Sequence, residues 1–360
     1  MNRNVTIIGA GLIGLVLAKE LASKGIGVTV YDRKKRVGEG AQKASGVISA
    51  NGIESIGMGY REAIVNKLDG ATIHAGKRTL KIKSDSVKAY VFDRERLSET
   101  FYKQAIGEGA EIILDTRIER EKIREMSNTI IVGADGAVST VASAFGFPRI
   151  EEYVLTYKRE YSCATVEDDG AVDLYFNSAT ARFFGWTIPY SNKVIEAGIG
   201  ISNKRRENSR AAFESFAAAK PDKGLEKPQG KGYASLIPLK TRRTTTIGNV
   251  LLVGDAAGQV KSSTGGGIVF GALCAKVAAE AIENHIKRGT KLAVYESMWR
   301  KRYGPELTMH RMIHSYYSAL GEKGMERFLW IASAIGLGGF LGRYGDMDRP
   351  SLMLKRLFIR

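Results

Sequence analysis

The sequence predicts an α/β fold. A Rossmann-like cofactor domain is interleaved with an α+β substrate layer built on an antiparallel sheet, and a helical C-terminal region follows. Three observations predict this. Apolar strands run into glycine turns at three distant places, residues 5–14, 129–136 and 250–258. Residues 71–88 and 151–240 alternate apolar and polar side chains, as half-buried strands do. Beyond residue 289 the pattern is helical up to the tail.

The first segment begins with Val5-Thr6-Ile7-Ile8 and turns at Gly9-Ala10-Gly11-Leu12-Ile13-Gly14. Glycines let the backbone turn tightly and approach a pyrophosphate, and a helix N-terminus then offers free N–H groups and a positive dipole end. A second strand, Val28-Thr29-Val30-Tyr31, ends at Asp32. An acidic residue about 20 positions past such a turn is where a ribose hydroxyl is held. The third segment is more specific. Asp255 follows an apolar strand, where its carboxylate suits a polyol such as ribitol. Gly265, Gly266 and Gly267 then precede the apolar helix that begins at Ile268. A bare helix N-terminus aimed at a flavin ring stabilises the negative charge of the reduced ring. One large, extended cofactor unites the segments, and FAD fits best. Asp135-Gly136 in the middle segment is an ordinary turn pair.

At these residues the chain resembles the flavoproteins that share the p-hydroxybenzoate hydroxylase fold, and among them the geranylgeranyl reductases, including the archaeal enzymes that saturate prenyl chains of membrane lipids. Asp93-Arg94 with Leu97 is similar to the family's Asp-Arg element, whose arginine lies near the cofactor. Phe184-Gly185-Trp186-Thr187-Ile188-Pro189 with Gly198-Ile199-Gly200 is similar to its aromatic substrate motif. The run from Gly254 to Lys261 into Thr264–Ile268 is the closest match, and Gly345-Asp346-Met347-Asp348-Arg349-Pro350 resembles the archaeal ending. The resemblance implies FAD contacts at Gly9, Gly11, Ile13, Gly14, Asp32, Ala44, Ser45, Arg94, Ile118, Asp255, Gly265, Gly266, Gly267 and Ile268. It implies substrate contacts at Phe184, Trp186 and Pro189. The sequence departs from the family at four places. Ala44 stands where the family often has a cysteine near the flavin, Ser262 where a proline is expected, Ala142 where an arginine often follows the Asp-Gly motif, and Ile188 at the second aromatic position.

Composition agrees. The 360 residues can bury a sizeable core, and 44% hydrophobic with 26% charged residues is ordinary for a globular protein. Cys163 and Cys274 are far apart and form no metal spacing, which suits a reducing cytoplasm. A first strand at residue 5 leaves no room for a signal peptide before it. The net charge of +16 is spread along the chain with no nucleic-acid module, so an anionic membrane surface is the better partner. The apolar, glycine-rich stretch 328–341 is too short to span a bilayer, and the tail 351–360 is basic and amphipathic. Packing on the protein body is the alternative for both.

The cofactor domain is expected at 1–70, 89–150 and 241–288, the substrate domain at 71–88 and 151–240, and the helical region at 289–360. A helix is expected at 94–107 and another near 209–219, and 220–232 reads as a loop. Tyr175, Phe176, Phe183, Phe184 and Tyr190 have the composition of a polyprenyl-binding wall, and the face of Trp186 can stabilise positive charge. Plain core packing explains the same residues. His74, His285, His310 and His314 fall outside the motifs and read as surface or structural residues. No catalytic residue, proton donor or metal ligand is assigned. The leading expectation is an FAD-dependent reductase of prenyl C=C bonds in isoprenoid lipids or prenyl diphosphates. NADPH or a ferredoxin-like protein would supply electrons, in the cytoplasm or peripherally on the inner membrane surface. The alternatives are an oxygen-using monooxygenase or halogenase, since Trp186-Thr187-Ile188-Pro189 resembles half of the halogenase tryptophan motif, and a flavin-bearing lipid carrier or lipid-binding pseudo-enzyme, which Ala44 permits.

Overall fold

The computed structural model describes residues 5–126, 129–163, 166, 168–180, 182–203, 208–219, 225 and 227–357. The three glycine-turn segments meet in one six-stranded sheet. Its order from edge to edge is Thr246–Ile247, Val250–Leu252, Ile130–Gly133, Val5–Ile8, Val28–Tyr31 and Glu111–Ile113. All pairings are parallel except that of the edge strand Thr246–Ile247. The central strands are apolar on both faces because helices cover both, as parallel sheets require. Helix Leu12–Ala22 buries Leu15, Val16, Leu17 and Leu21 against this sheet. Helix Ile268–Arg288 packs beside it through a stripe of small residues, including Gly271, Ala272, Ala275 and Ala278. At Gly271 an added Cβ would lie 3.1 Å from the Gly254 Cα, so the close approach needs glycine.

A seven-stranded sheet forms the second layer, in the order Lys227–Pro238, Tyr153–Ser162, Val194–Ser202, Gly185–Ser191, Ala171–Phe176, Gly70–Ala75 and Arg78–Lys83. Only the Ala171–Phe176 and Gly70–Ala75 pair is parallel. Successive side chains alternate between faces. In Val194–Ser202, Ile195, Ile199 and Ile201 pack with Phe213 and Phe216 of helix Ser209–Ala218, which covers one face. Glu196, Gly198 and Gly200 lie on the other face, toward the six-stranded layer. A three-stranded sheet of Val47–Ser49, Ala89–Phe92 and Ile64–Leu68 links the layers.

The helices at 94–107 and 209–218 fall where the sequence places them. The expected loop at 220–232 is corrected at its end. Residues 227–232 belong to the edge strand Lys227–Pro238, where Pro228 and the glycines are tolerated because an edge strand bonds on one side only. Residues 220–224 and 226 lie outside the described residues.

The C-terminal region is a 41-residue helix, Val294–Ala334, kinked at Gly321 (φ 61°), followed by Leu337–Tyr344 and Pro350–Leu357. The stretch 328–341 packs by one face: Leu329 and Ala332 are buried, and Gly338 rests on the Lys81 carbonyl of the sheet edge. Its other face leaves Trp330, Ile331 and Ile335 exposed. Among the described residues no helix is long and apolar enough to cross a membrane.

Candidate active site

A cavity of about 760 Å³ lies between the two layers. Its cofactor side is built from all three glycine turns. Gly11 and Ile13 line it from the first turn, Ala134 and Gly136 from the second, and Asp255 with Gly265, Gly266, Gly267 and Ile268 from the third. Helices Leu12–Ala22 and Ile268–Arg288 both begin here with a glycine N-cap and no side-chain cap. Their first N–H groups are therefore free to meet a ligand, and their dipoles favour negative charge. At Gly267 an added Cβ would sit 2.7 Å from Asp255 Oδ1, so the glycine run lets the backbone close over that carboxylate.

Ala44, Ser45 and Arg94 also line the cavity. Arg94 follows the N-cap Asp93, whose carboxylate accepts from the Glu95 and Arg96 amides and so fixes where the helix starts. Its guanidinium is surrounded by protein, with Nε and Nη1 lacking a hydrogen-bond partner among the described residues. That burial lowers its pKa, while Tyr190 and Asp255 pull it back up. Burial pushes the Asp255 carboxyl up to about 6, and the Arg94 charge works against the rise.

The other predicted contacts stand one layer back. Gly9 and Gly14 shape the first turn: a Cβ on Gly14 would fall 1.9 Å from the Gly9 carbonyl oxygen, and one on Gly9 would fall 2.4 Å from the Ala134 oxygen. Asp32 is buried and accepts from the Ala10 and Lys34 amides at 2.7 and 2.9 Å, tying the turn to the end of the second strand. Ile118 packs in a small cluster with Ile8 and Ile131. These positions do not line the cavity, nor does Pro189, whose carbonyl accepts from Asn66 Nδ2.

The opposite wall is aromatic and aliphatic. Phe183, Phe184, Trp186 and Ile188 line it, with Val172 and Leu174 beyond. The glycines of the substrate motif make room for this wall. A Cβ on Gly198 would lie 2.2 Å from the Trp186 ring, and one on Gly200 would lie 2.3 Å from Phe183. Tyr175, expected in the wall, is turned to the far face, where it stacks on His74 and meets Phe216 edge-on. Phe176 also lies off the cavity and packs against Phe184 and Tyr317. Tyr190 stands behind the wall.

Two buried ion pairs were not anticipated from the sequence. Beside Trp186, Lys158 pairs with Glu196, both almost fully buried. Near the C-terminus, Lys261 Nζ meets Asp348 Oδ1 at 2.5 Å. Ser49 donates to the same Asp348 carboxylate, and His310 meets the Asp348 carbonyl through Nε2 and Ser263 Oγ through Nδ1. Burial, then Lys261, lowers His310 to about 4, so it is neutral near pH 7 and serves as a structural link. The sequence signal for the first pair was a single glutamate in an otherwise uncharged strand, Val194–Ser202.

The residues present fit FAD. Two uncapped helix N-termini, a buried arginine with unsatisfied donors and a carboxylate beside a glycine cradle converge on one cavity. The family described as FAD dependent oxidoreductase (DAO) matches residues 4–83. The protein is a flavin-dependent oxidoreductase, and its cofactor is FAD.

Its particular resemblance is to the geranylgeranyl reductases. It is 27% identical to digeranylgeranylglycerophospholipid reductase 1 of Methanothermobacter thermautotrophicus, over 90% of this chain and 88% of that protein. An uncharacterized protein of Methanocaldococcus jannaschii is 28% identical over 99% of this chain and 96% of its own length. Among solved structures, a geranylgeranyl bacteriochlorophyll reductase-like protein from Thermoplasma acidophilum superposes with a TM-score of 0.82. It is 18% identical and covers 99% of this chain and 96% of its own, so it shows the shared fold.

Proposed function

We propose that this protein saturates C=C bonds in the prenyl chains of isoprenoid lipids or prenyl diphosphates. The observation that carries this reading is one continuous cavity. It runs from the FAD-side glycine turns, past Phe184 and Trp186, to Leu341, Met347 and Met353 of the C-terminal region. Beyond the FAD side its lining is apolar and aromatic, as a prenyl chain requires.

In this reading residues 1–70, 89–150 and 241–288 hold FAD. Gly9, Gly11, Ile13 and Gly14 form the pyrophosphate turn, Asp32 orients the ribose side, and Asp255 accepts from the ribitol. Gly265, Gly266, Gly267 and Ile268 present the helix N-terminus, Ala44, Ser45 and Arg94 complete the site, and Ile118 supports it from the apolar cluster behind. Bound there and reduced by NADPH or a ferredoxin-like donor, FAD would supply a hydride. Phe184 and Trp186 hold the chain across the reacting face, Pro189 keeps their strand in place, and the Trp186 ring stabilises positive charge that develops on the alkene by about 1–2 kcal/mol. The aromatic wall excludes water from that face. Residues 71–88 and 151–240 form the substrate layer.

We place the protein in the cytoplasm, peripherally attached to an anionic lipid surface. The exposed Val87, Met347 and Leu352 stand at or beside the outer end of the cavity, and the net charge of +16 favours such a surface.

The test is anaerobic. The purified flavoprotein is reduced with dithionite and a geranylgeranyl lipid is added. Flavin reoxidation with a gain of about two daltons per double bond supports the reading. Reoxidation only after oxygen is admitted, with an oxygenated product, overturns it, and so does lipid binding with no turnover.

A further inference from the structure

The Lys158–Glu196 pair lies where the two halves of the site touch. Strand register puts it there. Lys158 faces Gly198, and Glu160 faces Glu196, so Lys158 and Glu196 are diagonal neighbours on the cavity face of the sheet. Trp186 also faces Gly198, on the other side. Four groups from three separate parts of the chain converge on the Glu196 carboxylate. Ser45 Oγ donates to Oε1 at 2.5 Å, Trp186 Nε1 to Oε1 at 2.9 Å and Tyr190 Oη to Oε2 at 3.1 Å, and the Lys158 ammonium closes on Oε2. Lys158 Nζ also donates to the Ala44 carbonyl at 3.1 Å, and Lys158, Ala44, Ser45 and Trp186 all line the cavity.

Burying such a pair costs several kcal/mol per ion in desolvation, and an apolar pair of similar volume packs about as stably. Stability therefore does not explain it. Its position offers a reason. Saturating an alkene adds a hydride to one carbon and a proton to the other, and the aromatic wall has no proton to give. Lys43, Lys88, Arg94 and Lys261 also line the cavity, but Lys158 is bonded both to the Ala44 carbonyl of the FAD-side segment and to the carboxylate that holds the Trp186 ring.

We propose that Lys158 is the proton donor of the reaction and that Glu196 is its positioning residue. This rests on the reductase reading above. An Nζ–H bond breaks and a C–H bond forms at one alkene carbon as the other carbon receives a hydride. The substrate gains two electrons, which bound, reduced FAD would supply. The neutral amine left beside Glu196 recovers its proton from water that enters once the saturated chain has left the cavity. Tyr190 and Ser45 hold Glu196 in place. Arg94, Glu160 and Tyr190 are the other titratable groups facing the pair.

The experiment uses the FAD-loaded protein, a geranylgeranyl lipid and the variants Lys158→Met and Glu196→Gln. Two measurements report binding alone: FAD affinity by titration, and lipid affinity in the FAD-free protein by tryptophan fluorescence. Lys158→Met should hold both within threefold of wild type while slowing anaerobic, lipid-driven reoxidation by about 100-fold or more, the size of a general-acid contribution. Oxygen-driven reoxidation should not change. Glu196→Gln should shift the alkaline limb of the pH profile, which a merely structural role would leave in place. If either single variant unfolds, the double variant Lys158→Met/Glu196→Leu restores an apolar pair and carries the same prediction. Lipid-driven reoxidation within threefold of wild type in the folded variant overturns the proposal and leaves the reductase reading standing. A wild-type protein that never reoxidises with lipid overturns both.

Discussion

Replacing Asp255 with asparagine separates what this carboxylate does for folding from what it does for FAD. In the folded chain its carboxyl is pushed from 3.8 up to about 6, by burial first, with Arg94 pulling it down. The folded state thus holds this proton more tightly than the unfolded chain does. The stability that follows is fully present below about pH 4 and is lost as pH rises through about 6. Two units at about 1.36 kcal/mol each put the loss at about 3 kcal/mol, a ceiling because the carboxylate faces the cavity and water reaches it. An amide has no proton to lose. In urea unfolding of the FAD-free proteins, Asp255→Asn should gain on wild type between pH 4 and pH 7, by up to about 3 kcal/mol, and the gap should then level off. The same variant should bind FAD roughly 10- to 150-fold more weakly, because a hydrogen bond to a charged group is worth about 1.5–3 kcal/mol. Together these are the trade expected of a functional site. A stability difference that is the same at pH 4 and pH 7.5, or that shrinks as pH rises, would refute the reasoning.

Two further outcomes follow from packing. Gly198→Ala places a methyl 2.2 Å from the Trp186 ring, so the indole must move away from Glu196. Urea unfolding should show a loss of about 1–3 kcal/mol, with FAD affinity kept and lipid affinity reduced; unchanged lipid affinity would count against Trp186 as part of the wall. Lys261→Met leaves Asp348 buried without its partner. That should cost about 3–5 kcal/mol and open the segment 345–357 to limited proteolysis, whereas protease resistance equal to wild type would show that this ion pair does not hold the C-terminal region down.

The three glycine turns were legible in the sequence because their chemistry is local. A turn with positive φ at Gly9 (111°) and Gly254 (62°), and helices that start without caps, are set by residues a few positions apart. Helix Arg94–Gly107 was legible for the same reason, since its N-cap and apolar face lie within one short window. Strand alternation gave the second sheet but not the assignment of residues to its faces. Tyr175 reads like its aromatic neighbours, yet its odd-numbered register sends it to helix Ser209–Ala218 while Trp186 faces the cavity. The strand at 227–232 was hidden because Pro228 and two glycines carry a loop's composition, and only edge pairing makes them acceptable.

The sequence by itself determined the cofactor frame, because each glycine turn carries its own geometry. The tertiary structure alone decided what stands opposite that frame. Ser45 and Glu196 are 151 positions apart, and Lys261 and Asp348 are 87 apart. A buried charge is tolerable only when a distant partner arrives at hydrogen-bond distance, and no local pattern encodes that arrival. At Ala44 the chain lacks a reactive side chain, and the fold brings Lys158 to that backbone from another strand.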